Sequence, residues 1–347
     1  LEAWCRYAYQ SKDQAIEILQ LESFPDIDSF MSDRYSFKIA YHDYYLFSKE
    51  KRSTQYISIV DEFGARNTPD SQQDNPNVTI WTFGGSTMEN VDTTDTLSIA
   101  NQIAKHLNSE GKKVKVVNYG TVAFFLSLES IKFQDLLRRK PQSEWPNYVI
   151  FYDGYNEANT SFTSDANNLQ YDLSGKLAYL ITGNHAKLCL YSASSLAAQY
   201  SAFYKKFVHE HMERCLIPPA LNHDGETNLA NTVRGYATNV SMLQAICKQA
   251  KITPVFLFQP MVFTKQNLTE YEKKVIGGFS EKYLQYCKSL YKQVATSQAA
   301  NEDFYDLSAI LNDSTHNDFW DLGHTGPYTG ITIGRQIAGI LKKKMER

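Results

Sequence analysis

The sequence predicts an α/β domain built on a parallel sheet with covering helices. Three observations carry this: short apolar runs alternate with stretches of helical spacing, the links between them are short, and the runs stop at glycines or small polar residues. The first strand, 78–83, ends in Gly84-Gly85-Ser86-Thr87. A helix is expected over 95–108, with Leu97, Ala100, Ile103, Ala104 and Leu107 on one face and Gly111 just past its end. A second strand, 114–119, stops at Gly120. The next helix, 127–139, buries Leu128, Ile131 and Leu137 and ends before Pro141. A third strand, 148–152, runs into Asp153-Gly154-Tyr155-Asn156-Glu157.

After an interruption the alternation resumes. Pro254-Val255-Phe256-Leu257-Phe258 reads as a fourth strand, followed by one long helix that opens on the capping box Thr269-x-x-Glu272 and carries a weak point at Gly277-Gly278. A short fifth strand, 304–307, precedes Asp321-Leu322-Gly323-His324 and a closing helix with Pro327 in its first turn. Two regions stand outside this pattern. Residues 1–75 read as an N-terminal extension packed on the core formed by 76–347; they hold a short helical pattern at 13–20, an aromatic stretch at 34–47 and a strand-like run at 56–60. A mostly helical insertion is expected at about 160–251. Its Leu196, Tyr200, Phe203, Tyr204, Phe207 and Met212 fall at helical spacing and read as core rather than as a sugar-stacking face.

Composition narrows the function. The 347 residues are 43% hydrophobic and 21% charged, ordinary for a globular chain, and the net charge of −3 with dispersed Lys and Arg provides no basic field for nucleic acid. No apolar run is long enough to span a bilayer. Five cysteines with no Cys-x-x-Cys spacing make neither a zinc site nor a disulfide frame. His209 and His211, two apart on a helix, point to opposite sides and read as solvated or capping. No residue set calls for a metal or cofactor.

In an open parallel sheet, ligands bind beyond the carboxyl ends of the strands, which is where Ser86, Gly120 and Asn156 fall. A Gly-Gly-Ser turn alone is common punctuation, but acyl transfer by serine needs a base, an acid that orients it and donors for the oxyanion. His324, with Asp321 three positions upstream, is the histidine that one loop delivers together with an acid. Gly84-Gly85-Ser86-Thr87, Asn118-Tyr119-Gly120, Gly154-Tyr155-Asn156-Glu157 and Asp321-Leu322-Gly323-His324 resemble, in order, the four sequence blocks of the SGNH/GDSL hydrolase family. The resemblance covers roughly 78–160 and 253–345. It implies a flavodoxin-like three-layer α/β/α sandwich, with Ser86 as nucleophile, His324 as general base, Asp321 as its orienting acid, and the Ser86 and Gly120 N–H groups and the Asn156 amide as oxyanion hole. Gly-Gly-Ser in place of Gly-Asp-Ser, and Asp61-Glu62-Phe63-Gly64-Ala65-Arg66 upstream, resemble a bacterial exported or membrane-anchored branch. That branch implies an extracytoplasmic setting with an anchor or signal upstream of Leu1. Glu157 stands where Asp is usual. The implied activity is removal of an acyl group, acetyl foremost, from a carbohydrate or glycan ester. The alternatives are an O-acetyltransferase using the same residues and a binding module without turnover.

Overall fold

The computed structural model describes residues 26–72, 74–90, 92–162, 183–209, 212 and 225–347. The helical pattern expected at 13–20 and His211 lie outside the described residues. Five parallel strands form the central sheet: β3 (Val78–Gly84), β4 (Val114–Asn118), β5 (Tyr148–Asp153), β6 (Thr253–Phe258) and β7 (Phe304–Asp306), in the order β4-β3-β5-β6-β7. In sequence order that is the flavodoxin-like arrangement, with the reversal beside β3, whose end carries Ser86.

Side chains on a strand alternate between faces, and both faces here are apolar, as a doubly covered parallel sheet requires. Trp81, Phe83, Val149, Phe151, Phe256 and Phe258 point to one side, where they meet α4 (Leu126–Arg139), α7 (Gly225–Ala250) and α9 (Glu281–Ser297). Ile80, Val116, Ile150, Tyr152, Val255 and Leu257 point to the other, against α3 (Ile99–Ser109) and α10 (Pro327–Met345). The molecule is therefore a three-layer α/β/α sandwich. On the first face, Phe83, Phe151 and Phe256 occupy one register and stack across three strands with centroids 5.4 Å apart. On the second, α10 approaches α3 so closely that a Cβ on Gly334 would lie 2.5 Å from Gln102 Cβ.

The segment before the sheet begins with α1 (Ile27–Tyr35), capped by the Asp26 carboxylate, and an antiparallel hairpin of β1 (Ile39–His42) and β2 (Leu46–Lys49). Tyr45 and Phe47 of this aromatic stretch are buried against Phe124, Phe125 and Leu128, whereas Tyr41 and Tyr44 are exposed. The run 56–60 does not form the strand its sequence suggests; only Ile59 makes ladder bridges, to Arg52 and Arg66. The other N–H groups go elsewhere: Tyr56 donates to Asp33, Ile57 to Thr54 Oγ1, Ser58 to Asp95 and Val60 to Ala65 O. Arg66 is fully buried, donating to the carbonyls of Glu89, Asn90 and Thr93 and to Asp95. It thereby ties this segment to the chain that follows Ser86.

Two further expectations are corrected. The long helix after β6 is two helices, α8 (Glu270–Gly277) and α9, because the first helix ends at Gly277-Gly278 and Ser280 starts the second as a new N-cap. The aromatic stripe of the insertion is not core: Leu196, Tyr200, Phe203 and Phe207 are exposed. The helix α6 (His185–Tyr200) stops at Ser201, which is extended, and Lys205–His209 follows in π-helical form, so regular α-helical spacing is not kept along the stripe. His209 is half-buried, its Nδ1 2.9 Å from Ser194 Oγ. Among the described residues no helix is long and apolar enough to cross a membrane.

Candidate active site

Ser86 is the first residue of the one-turn helix α2 (Ser86–Glu89), entered directly from β3 through Gly84 and Gly85. Gly85 leaves room for a neighbour: a Cβ there would lie 2.1 Å from Asn156 Nδ2 and 2.9 Å from Phe124 O. Asn90 closes the turn in the left-handed region at φ 62°, donating its N–H to Ser86 O. Thr87 Oγ1 donates to Gln259 Oε1 at 2.7 Å, pinning α2 to the end of β6.

The loop between β7 and α10 folds back on itself. Phe319 and Thr325 bridge in antiparallel fashion, Trp320 N–H donates to His324 O and Gly326 N–H to Asp318 O. Asp321 Oδ1 accepts the N–H groups of Gly323 and His324 at 2.8 Å, and its Oδ2 lies 2.6 Å from His324 Nδ1. The carboxylate thus holds the proton on Nδ1 and leaves Nε2 as acceptor, 2.7 Å from Ser86 Oγ. The structure brings Ser86, His324 and Asp321 into one hydrogen-bonded chain, although 238 positions separate the serine from the histidine. The imidazole is braced by Tyr155 and Trp320, whose ring centroids lie 5.1 and 5.4 Å away.

The three oxyanion donors expected from the sequence differ in state. Ser86 N–H, at the first helical position, has no carbonyl of its own helix to bond. Asn156 Nδ2 spends one N–H on Phe124 O at 2.6 Å, which orients the amide and leaves the second N–H for another acceptor. Gly120 N–H donates to Asn118 Oδ1 at 3.0 Å and so already has a partner. Asn118 also bonds Met88 O and Thr82 Oγ1, fixing β4 to the nucleophile turn.

Sequence reasoning missed a second acid. Asp92, buried, pairs with Arg34 of α1, and the Arg34 guanidinium lies over the Trp320 ring at 4.7 Å. Burial alone would lower the His324 pKa; the Asp321 hydrogen bond and charge, joined by Asp92, outweigh it and hold the imidazole above its ordinary value. Asp321 is half-buried, and although burial pulls its pKa up, the His324 hydrogen bond and charge and the two backbone N–H bonds keep it below the usual carboxylate range. Gln259 was missed as well, although its place just past β6 is the signal that found Gly120 and Asn156. Among the described residues no group of His, Cys, Asp and Glu is arranged to hold a metal.

No family model matches the chain, and no curated protein does. Among solved structures it is similar to the acetylxylan esterase Axe2 from Geobacillus stearothermophilus, with 13% identity over 76% of this chain and 93% of that one and a TM-score of 0.39. It is also similar to the psychrotrophic esterase EstA from Pseudoalteromonas sp., at 11% identity over 78% and 100% with a TM-score of 0.37. A third similarity is to a protein of the G-D-S-L family from Desulfitobacterium hafniense DCB-2, at 10% identity over 76% and 99% with a TM-score of 0.38. Likenesses this distant carry no functional weight, so any reading of activity rests on the site's own geometry. In that geometry the four blocks through which the sequence resembles the SGNH/GDSL hydrolases meet at the carboxyl edge of one parallel sheet.

Proposed function

We propose that the protein is a serine-dependent carboxylic ester hydrolase that removes an acyl group, acetyl foremost, from a carbohydrate or glycan. The observation that carries the reading is the chain Ser86 Oγ to His324 Nε2 to Asp321, at 2.7 and 2.6 Å. Ser86 Oγ attacks the acyl carbonyl while its proton passes to Nε2. Asp321 keeps the imidazole in the right tautomer and stabilises the imidazolium. The oxyanion is met by Ser86 N–H and the free N–H of Asn156. The sugar alkoxide leaves with the proton from Nε2, and water, deprotonated by His324, then releases the acid from the acyl-enzyme. Acetyl and sugar are supported by the four-block resemblance, and the acyl chemistry by the geometry.

Replacing Ser86 by Ala should lower kcat on nitrophenyl acetate by on the order of 10⁶-fold, the scale of losing a nucleophile in such a unit, with the thermal melt unchanged. Retained turnover would sink the mechanism. Supplying acetylated and free oligosaccharides and weighing the products separates hydrolysis, which releases acetate, from transfer, which adds mass to the acceptor.

A further inference from the structure

Glu157 stands next to Asn156 and is buried. Its carboxylate does two things at once. Oε2 accepts the Gly154 N–H at 2.7 Å, closing the turn that presents Asn156 at the start of α5 (Tyr155–Ser161). Oε1 accepts the Leu126 N–H at 2.9 Å, at the first turn of α4. That helix starts on Phe125, which has no side chain able to cap it, so a carboxylate from another loop supplies the missing acceptor. One side chain therefore caps two helices, and the positive ends of both favour its charge. The loops that lead into these helices, 120–125 and 154–156, are joined a second time by Asn156 Nδ2 donating to Phe124 O at 2.6 Å.

We propose that Glu157 is a positioning residue for the ester chemistry: its double cap sets the register between the 120–125 loop and the Asn156 loop, and so aims the Asn156 amide at the oxyanion. The proposal rests on the reading of Ser86 as nucleophile. It also accounts for a departure noted in the sequence, because the extra methylene of Glu over Asp lets one carboxylate reach a donor on each helix. Behind Glu157 lie two more buried carboxyls, Glu129 of α4 and Asp153 at the end of β5, with Tyr236 of α7 and Tyr291 of α9 against them. Burial raises the Glu157 carboxyl too, but the Leu126 and Gly154 N–H bonds pull it back down, whereas neither Glu129 nor Asp153 accepts a backbone N–H.

The test is a double-mutant cycle between Glu157→Gln and Asn156→Ala, read on nitrophenyl acetate. Gln keeps one acceptor and turns an N–H toward a donor, so kcat should fall by about 10-fold or more, short of the roughly 10²–10³-fold cost of deleting an oxyanion donor, while KM stays within about twofold. In the Asn156→Ala background the same change should cost less than about twofold, because the group it positions is gone. Equal losses in both backgrounds, or an unchanged kcat, overturn the proposal. If Glu157→Gln fails to fold, Glu157→Asp, which keeps the charge and the shorter Gly154 bond, supplies the same comparison with the same two outcomes. Ser86→Ala separates the two claims: activity surviving in it overturns the nucleophile and this proposal together, whereas its loss with additive Glu157 effects overturns the positioning role alone.

Discussion

His324 feels two carboxylates rather than one, and this sets the pH at which the site works. Asp321 binds the imidazole directly, while Asp92 acts through space from its pair with Arg34. A base must be neutral to take the Ser86 proton, so kcat/KM falls as pH drops through the His324 pKa. Burial pulls that pKa down, but the two acids raise it above the ordinary histidine value, and the acid limb moves up with it. Asp92→Asn removes one upward pull on the imidazole, and the acid limb of kcat/KM should move to lower pH. A limb that stays put or moves upward would exclude coupling between Asp92 and His324. Breaking a buried pair should also destabilise the fold by about 3–5 kcal/mol, which a urea titration measures. Ser86 and His324 were legible in the sequence because motif and strand end coincide there. Asp92 and Arg34 were not, since they sit 58 positions apart in no motif and acquire a role only through the packing of α1 on the loop beside His324.

The capping box Thr269-x-x-Glu272, readable in the sequence as a helix start, does more in three dimensions. Glu272 is fully buried and accepts N–H bonds from Thr269, Asp318 and Phe319, the last two at the root of the loop that carries Asp321 and His324. Lys265 Nζ balances its charge at 2.9 Å, reaches Asp318 at 2.7 Å and donates to His316 O. One buried lysine thus anchors the start of α8 to the base of the His324 loop. Lys265→Met would leave two buried carboxylates uncompensated, with an expected loss of about 3–5 kcal/mol. Chemical denaturation of the variant checks this, and a loss within the range of an ordinary surface substitution, about 0.5 kcal/mol, would show that water reaches the pair. Sequence spacing revealed the cap but not its second use, because a capping glutamate looks the same whether its far side faces solvent or a loop 46 residues away. The break at Gly277-Gly278 was visible as a weak point. Whether a weak point bends a helix or ends it depends on the next cap, here Ser280.

The architecture as a whole was legible because a parallel sheet covered on both faces leaves near-continuous apolar runs, and their order brings three strand ends to one edge. Less legible were the polar groups buried at that edge, since hydrophobic periodicity is blind to a carboxyl inside the core. Glu129, Asp153 and Glu157 are all buried, and burial joined by mutual repulsion holds Glu129 and Asp153 well above the usual carboxylate range. Such groups tie stability to pH. In the unfolded chain Glu129 ionises at its ordinary value, about pH 4.3, whereas in the fold burial keeps it protonated to higher pH. Its contribution is therefore intact below that pH, and is lost progressively as pH rises toward the folded value. Lys132, one turn along α4, has the reverse slope: burial lowers its pKa to about 7, with Asp61 and Glu129 pulling the other way. Glu129→Gln should thus leave stability nearly unchanged at about pH 4 and raise it at neutral and alkaline pH, by on the order of 1 kcal/mol for each pKa unit removed. The difference between the urea midpoints of the two proteins across pH reads Glu129 together with its pull on Lys132. A constant difference would mean that the fold does not raise the Glu129 carboxyl.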